Sequence, residues 1–278
     1  MATTWRYLMA DKIKPHVVER VKKIRQWEEQ NQFKEARKTA GFVLYKNYYV
    51  PASIVNKART LLSFGVGGNV GFEKEIAFAN KTINIQLFDP TPRSVGLINT
   101  IITKSSYKSV GDRSDSDINV QASKRIKFYP VAYSDRDGTL PFYYDMTKEK
   151  DEQTVESAKQ SFSLVKREGY DHVLVKTKTL KTIMADRNME NVDMLKADIE
   201  GLWWEFGNEL LDNKINCPYV ALELELSFKD GEKIEPALDK AQLLCDKFVK
   251  HDYDVFINRK REKLMLEMLF IKRGSYEG

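Results

Sequence analysis

Segments of strand type alternate with amphipathic helical segments along most of this chain of 278 residues. In its second half, a strand-like segment at 192–201 is followed by a helical segment at 202–213 and a further strand-like segment at 219–228. Such alternation favours a mostly parallel β-sheet with helices on both faces. The last two strand-like segments, 253–258 and 263–273, are too close in sequence for a parallel crossover, so we expect them to pair antiparallel.

The N-terminal part of the chain does not follow this alternation. Apolar residues recur at helical spacing between residues 11 and 40, and residues 41–52 form an aromatic segment that is either a strand or an extended linker. We therefore expect an N-terminal helical extension at 1–60 and one α/β domain at 61–278. The sequence contains no internal repeat.

Two polar segments interrupt the α/β domain. Residues 105–124 are expected to form a long loop, and residues 145–167 a lid or an insertion. Between them, residues 125–144 contain two strand-like runs around a turn from Asp135 to Gly138. The Asp-Gly dipeptide in this turn predicts a hairpin-like reversal.

Composition and charge narrow the classes of partner. The net charge of +5 comes from 45 basic and 40 acidic residues, an excess too mild to favour a nucleic-acid partner. Cys217 and Cys245 have neither metal-ligand spacing nor the density of a disulfide framework, which indicates a reducing compartment. No segment approaches the roughly 18 apolar residues that a membrane span requires. We therefore expect a cytoplasmic protein without a membrane partner.

A glycine-rich segment follows the first strand of the α/β domain. Four glycines lie within seven residues of LLSFGVGGNVGFEKE, which runs from Leu61 to Glu75. The helical run after them places Phe72, Ile76 and Ala79 on one face. A strand, a glycine turn and a helix start present backbone N–H groups to a nucleotide-like ligand. The glycine spacing suits either a dinucleotide or S-adenosylmethionine, and a tight turn without a ligand is the alternative.

Polar side chains follow several of the predicted strands. Ligands of open α/β sheets bind at the carboxyl ends of the strands, so these residues are expected to surround one crevice. Asp89 ends the strand after the glycine turn, about 20 residues beyond it, where a carboxylate can accept hydrogen bonds from ribose hydroxyls. Asp89 as a turn residue before proline is the structural alternative. The residues at the ends of the next strands are Ala132, Tyr133, Asp198 and Glu200.

Five segments occur in the order and spacing of one known family: SFGVGGNVGFEKE, LFDPTP, VAYSDRDGTLPFY, KTLKTIMADRN and LKADIEGLWWEF. Over roughly residues 60 to 230 the chain resembles the FkbM-type S-adenosylmethionine-dependent methyltransferases of class I. The resemblance implies a Rossmann-like fold with a seven-stranded sheet and an antiparallel closing strand. It also implies S-adenosylmethionine as methyl donor and, usually, O-methylation of a sugar or another small hydroxylated molecule.

The resemblance also implies a set of cofactor-binding residues. Ser63 stands where methyltransferases often have an aspartate, Trp203 where the family commonly has a glutamate, and Glu225 in place of a histidine. Glu223 aligns with a family glutamate. The candidate cofactor-binding residues are Ser63, Phe64, Gly65, Gly67, Gly68, Asn69, Glu73, Asp89, Pro90, Ala132, Tyr133 and Asp198.

Methyl transfer requires alignment of donor and acceptor and removal of the hydroxyl proton. Asp198, at the end of a central strand, is the first candidate for the base or substrate orienter, followed by Glu200, Glu223 and His172. His172 as a structural residue at the start of a strand is the alternative. Asp198 and Glu223 are an alternative ligand pair for Mg²⁺, which prefers oxygen ligands, although we expect no metal.

Other functions remain open at this stage. A lipid or a protein side chain would suit the same chemistry as acceptor. The residues at positions 63 and 203 are compatible with a non-catalytic protein of the same fold that binds a partner through its N-terminal helix. A dinucleotide oxidoreductase is the third alternative.

Overall fold

The computed structural model describes residues 41–67, 69–103, 124–145, 162–164, 166, 170–226, 234–261 and 265–276. The helix expected between residues 11 and 40, the polar segment 105–123 and most of the segment 145–167 lie outside the described residues. The division into an extension at 1–60 and a domain at 61–278 stays a prediction.

The described residues form strands and helices in the alternating order that the sequence predicts. The strands are β1 (Phe42–Tyr45), β2 (Tyr48–Pro51), β3 (Thr60–Phe64), β4 (Asn84–Phe88), β5 (Ile126–Tyr129), β6 (Ala132–Tyr133), β7 (Gly138–Asp145), β8 (Tyr170–Lys178), β9 (Met194–Ala197), β10 (Tyr219–Glu225), β11 (Tyr253–Arg261) and β12 (Met265–Lys272). The helices are α1 (Ala52–Lys57), α2 (Gly71–Ala79), α3 (Pro92–Thr103), α4 (Leu180–Ala185), α5 (Trp203–Asp212) and α6 (Ile234–Lys250).

The main sheet contains seven strands in the order β11-β12-β10-β9-β3-β4-β5. The strands from β10 to β5 pair in parallel, and β12 is antiparallel to both of its neighbours. The predicted mostly parallel sheet and the predicted antiparallel pairing at the C-terminal end are therefore confirmed. The connection reverses between β3 and β9, which is where open sheets of this kind place their ligands.

Buried apolar residues lie on both faces of this sheet. On one face, Phe64 and Leu222 pack with Phe206 of α5 and Leu244 of α6. On the other face, the strands pack against α1, α2 and the β1–β2 hairpin, which contributes Tyr48. The aromatic segment after residue 40 is thus a hairpin that joins the core, and not an extended linker.

One local prediction is wrong. Residues 125–144 do not form a hairpin: β5 joins the main sheet, whereas β6 and β7 flank β8 in a separate three-stranded sheet. The partner of β7 is a strand distant in sequence, so the Asp-Gly turn does not decide the pairing. The helix predicted after the glycines is α2, in which Phe72 and Ile76 are buried together with Ala77. Ala79 is exposed at the last residue of the helix, after which the chain turns into β4.

None of the described helices is both long and apolar enough to cross a membrane. Cys217 and Cys245 are buried free thiols. Burial raises the pKa of both thiols above the usual cysteine value, so they stay protonated and serve as small apolar side chains.

The side chain of Asn80 connects α1 with the start of β4. Its Nδ2 donates to the carbonyl oxygens of Val55 at 2.6 Å and Ala58 at 2.7 Å. Its Oδ1 accepts from the backbone N–H groups of Thr82 at 2.8 Å and Ile83 at 3.1 Å. Asn80 thereby fixes the chain that leads into the strand carrying Asp89.

Replacement of Asn80 tests this role. Asn80→Ala leaves the carbonyl groups of α1 without their donor, and we expect the free energy of unfolding to fall by about 3 kcal/mol. Urea denaturation would measure this change. The exposed neighbour Lys81 provides the control, since Lys81→Ala should change stability by less than about 0.5 kcal/mol. Equal effects of the two substitutions would contradict the role of Asn80.

Candidate active site

A cavity of about 240 Å³ opens at the carboxyl ends of β3, β4 and β9. This is the edge of the sheet at which the sequence predicts a crevice, and most of the predicted strand-end residues line it. The lining residues are Phe64, Gly65, Gly67, Phe88, Asp89, Pro90, Thr91, Arg93, Ala132, Tyr133, Phe142, Phe162, Leu164, Asp198, Ile199 and Glu200.

The glycine loop approaches the neighbouring strand end very closely. Gly65 has φ of +68°, and a Cβ atom at this position would lie 1.6 Å from the carbonyl oxygen of Asp198. The two segments are also joined by a hydrogen bond of 3.2 Å, which the Asp198 N–H donates to the carbonyl of Phe64. Only glycine combines this backbone conformation with this contact. The glycine therefore permits the loop and Asp198 to share one edge of the cavity.

Asp89 holds the glycine loop from the other side. Its Oδ2 accepts a hydrogen bond of 2.7 Å from the Gly67 N–H, and its Oδ1 accepts one of 2.8 Å from the Thr91 N–H. The side chain is buried yet lines the cavity. Burial raises the pKa of Asp89, while hydrogen bonds involving Thr91, Gly67 and Ser94 act in the opposite direction. Because Asp89 lines the cavity, its carboxylate is placed to accept a hydrogen bond from a ligand there.

Aromatic rings form the inner wall of the cavity. Phe64 stacks on Phe88 with ring centroids 4.7 Å apart, and Tyr133 contacts Phe206 edge-on at 4.7 Å. Burial, followed by the charge of Glu209, raises the pKa of Tyr133 well above the usual tyrosine value. Tyr133 is therefore a neutral packing residue, and this wall offers apolar surface to a planar ring.

The three-stranded sheet and the segment 162–164 close another side of the cavity. Phe142 of β7 and Phe162 stack at 5.5 Å, and both line the cavity. The hydroxyl of Ser163 donates a hydrogen bond of 2.6 Å to the carbonyl of Glu200. Glu200 itself has φ of +49°, which is uncommon for a residue other than glycine. The loop after β9 is thus held in a specific conformation that brings Asp198 and Glu200 to the cavity.

Three carboxyl groups converge beyond this loop. One oxygen from each of Asp198, Glu200 and Glu225 lies within 4.8 Å of the other two. Glu225 ends β10 and is 6% exposed. Burial, followed by the charges of Glu200, Asp198 and Glu223, raises the pKa of Glu225 well above the usual glutamate value. We refer to Asp198, Glu200 and Glu225 as the carboxylate trio.

Several predicted site residues do not line the cavity. Ser63 and Glu73 are buried on one face of the sheet, where the Ser63 hydroxyl donates to Glu73 and Lys196 lies 4.0 Å from the same carboxylate. Asn69 accepts a hydrogen bond of 3.1 Å from the Gly71 N–H at the start of α2. Gly68 lies outside the described residues. These contacts connect the glycine loop and the start of α2 with the central strands.

Two of the four candidate catalytic residues are also outside the cavity. Glu223 is buried within β10 and faces Glu267 of β12 in the strand register. His172 lies on β8, where its ring is 5.7 Å from that of Tyr143 and its side chain is half exposed. The structure thus brings Asp198 and Glu200 to the cavity, and neither Glu223 nor His172 is among its lining residues.

Sequence reasoning missed other residues of the site. Arg93, Phe142, Phe162 and Leu164 line the cavity, and no local signal marks them. Glu225 carried a signal, since alternation along a strand places it on the same face as Glu223. Glu225 is the last residue of β10, and its carboxyl group joins those of Asp198 and Glu200.

Comparison with known proteins identifies a family for this chain. The model of the family described as methyltransferase FkbM domain matches residues 50–205. No curated protein matches the chain.

Three solved structures illustrate the range of proteins to which this chain is similar. The precorrin-6y C5,15-methyltransferase of Geobacter metallireducens GS-15 has 9% identity and a TM-score of 0.37, with 80% of this chain and 85% of that chain covered. The fibrillarin pre-rRNA processing protein of Methanococcus jannaschii has 10% identity and a TM-score of 0.41, with 81% and 74% covered. The O-methyltransferase TomG of Streptomyces achromogenes, in complex with SAM, has 7% identity and a TM-score of 0.39, with 96% and 94% covered.

The contact between Gly65 and Asp198 predicts different effects for two glycine substitutions. Gly65→Ala should lower the free energy of unfolding by at least about 3 kcal/mol, because a Cβ cannot fit against the Asp198 carbonyl. Gly67 also has positive φ, +56°, but a Cβ there meets no atom within 4 Å. Gly67→Ala should therefore cost only about 1 to 2 kcal/mol of backbone strain. Thermal or urea unfolding would compare them, and an equal cost would show that steric contact does not matter.

Proposed function

The chain belongs to the FkbM methyltransferase family, and we propose that it transfers a methyl group from S-adenosylmethionine to a hydroxyl group of a sugar, a glycan or a similar small molecule. The observation that carries the proposal is the shared cavity of the glycine loop, Asp89 and Asp198. These are the groups that a nucleoside cofactor and a nearby nucleophile would require at the switch point of the sheet.

The cofactor half of the proposal rests on Asp89 and the glycine loop. The Asp89 carboxylate suits the ribose hydroxyls as a hydrogen-bond acceptor, and the main chain at 65–67 lets the methionine part of the cofactor approach closely. Pro90, Ala132 and Tyr133 line the same cavity and provide apolar contact for the adenine ring. Glu73 and Asn69 support the loop and are not proposed to contact the cofactor.

The acceptor half of the proposal rests on Asp198 and Glu200. The acceptor oxygen attacks the methyl carbon, the bond between that carbon and the sulfonium sulfur breaks, and the hydroxyl proton leaves. The products are the methyl ether, S-adenosylhomocysteine and a proton. Asp198 would orient the hydroxyl and favour the loss of its proton, since the sulfonium is already activated and the protein mainly aligns the two reactants.

The charge of the cavity supports a neutral hydroxylated acceptor. Asp198 and Glu200 accept hydrogen bonds from hydroxyl groups but repel phosphate groups at short range. A polyhydroxylated molecule therefore fits this end of the cavity better than the backbone of a nucleic acid. The cytoplasmic location stays a prediction.

Asp89→Asn tests the cofactor site. We expect it to weaken S-adenosylhomocysteine binding at least about tenfold by calorimetry, because one ribose acceptor becomes an amide donor. The exposed Asp212 provides a control of equal charge, and Asp212→Asn should bind like the unmodified protein. If the unmodified protein bound NAD in preference to S-adenosylhomocysteine, an oxidoreductase would be favoured. If the unmodified protein bound neither compound, the proposed cofactor site would be refuted.

Asp198→Asn tests the acceptor site. Transfer of labelled methyl groups to a set of nucleotide sugars and glycans should fall about 100-fold in kcat, because the hydroxyl loses its charged partner. Affinity for S-adenosylhomocysteine should change less than about threefold, since the Asp198 N–H to Phe64 contact is retained. Equal and small effects on kcat and on S-adenosylhomocysteine affinity would contradict the role of Asp198 at the acceptor hydroxyl. Cofactor binding by the unmodified protein without transfer to any hydroxylated acceptor would favour a non-catalytic binding protein.

A further inference from the structure

We propose that the carboxylate trio of Asp198, Glu200 and Glu225 binds a hard divalent cation at the acceptor end of the cavity. The sequence favoured no metal and gave Asp198 and Glu223 as the alternative ligand pair, whereas the structure brings Glu225 to Asp198. The role of the cation in methyl transfer rests on the proposed function, but its binding is testable without activity.

The spacing of the three oxygens fits such a cation. They lie within 4.8 Å of one another. Around a cation held at about 2.1 to 2.5 Å, neighbouring oxygen ligands lie about 3.0 to 3.5 Å apart and opposite ligands about 4.2 to 5.0 Å apart. Small rotations of the side chains would therefore complete the ligand set.

The environment of Glu225 points independently to a ligand. The residue is 6% exposed, and neither carboxylate oxygen accepts a hydrogen bond from an N–H or hydroxyl donor among the described residues. A buried carboxylate without a partner is costly, since the group has lost its hydration without compensation. Its carboxylate instead meets those of Asp198 and Glu200, which line the cavity. A cation between the three would compensate all of them.

The backbone holds the other two ligands in place before any cation binds. Asp198 is fixed to β3 through Phe64, and the carbonyl of Glu200 accepts from the Ser163 hydroxyl at 2.6 Å. Glu200 and Gly201 both have positive φ, +49° and +105°. Such conformations persist where the surrounding structure fixes them, so the backbone that carries the Asp198 and Glu200 side chains is held in place.

The ligand type selects the class of cation. The trio provides only carboxylate oxygens, which suit Mg²⁺, Mn²⁺ and Ca²⁺, whereas Zn²⁺ prefers thiolate and imidazole ligands. A cation here would bind the acceptor hydroxyl and lower its pKa. Asp198 would then act on the hydroxyl through the cation, which refines its role in the proposed reaction.

Mn²⁺ is the probe for the test, because electron paramagnetic resonance separates free from bound Mn²⁺. The unmodified protein, stripped with EDTA, should bind one Mn²⁺ per chain and show a higher melting temperature when Mn²⁺ is added. Absence of binding up to about 1 mM Mn²⁺ would overturn the proposal.

Two glutamates of β10 provide a matched pair of variants. Glu225→Gln should weaken Mn²⁺ binding at least about tenfold and abolish the rise in melting temperature. Glu223→Gln removes a buried charge two residues away but outside the trio, and should weaken binding less. Equal binding by Glu225→Gln, or a greater loss in Glu223→Gln, would overturn the assignment.

The same samples separate this proposal from the proposed function. S-adenosylhomocysteine affinity of the metal-free protein reports the cofactor site, and it also shows that Glu225→Gln is folded. Cofactor binding without Mn²⁺ binding would refute the cation site alone. Mn²⁺ binding without cofactor binding would refute the proposed function and retain the cation site.

Discussion

The contact between Gly65 and the backbone of Asp198 governs the arrangement of the whole cavity. It brings the loop after β3 against the end of β9, so the two central strands deliver their following residues to one place. A side chain at position 65 would separate them, and the glycine loop would no longer face the acidic end of the cavity. This arrangement therefore requires a residue without a Cβ atom at position 65.

Asp89 and Glu225 show how different surroundings give two buried carboxylates different roles. Burial raises the pKa of both. Asp89 is compensated by backbone N–H groups of Gly67 and Thr91, which fix its orientation toward the cavity. Glu225 accepts no hydrogen bond from an N–H or hydroxyl donor among the described residues and lies beside two other carboxylates, and this imbalance is the basis for proposing a cation at the trio.

The buried polar residues beneath the loop have a different purpose. Ser63 and Glu73 connect β3 with α2, and Lys196 of β9 lies beside the same carboxylate. The family resemblance assigned Glu73 to cofactor binding as part of the cofactor loop, and Ser63 as the residue that stands where methyltransferases often have an aspartate. In the structure their side chains contact each other and Lys196, and neither residue lines the cavity, so their assignment to cofactor binding stays a prediction. Sequence proximity alone does not separate the two roles.

The sequence by itself determined the alternating elements, the position of the glycine loop and the acids at the ends of β4 and β9. These features depend on local periodicity, on glycine conformations and on proline breaks, which neighbouring residues decide. Only the tertiary structure decided that β6 and β7 pair with β8, that His172 lies away from the cavity and that Glu225 joins Asp198 and Glu200. Those outcomes depend on which distant segments pack together, because sheet register and loop conformation set the distances between side chains that are remote in sequence.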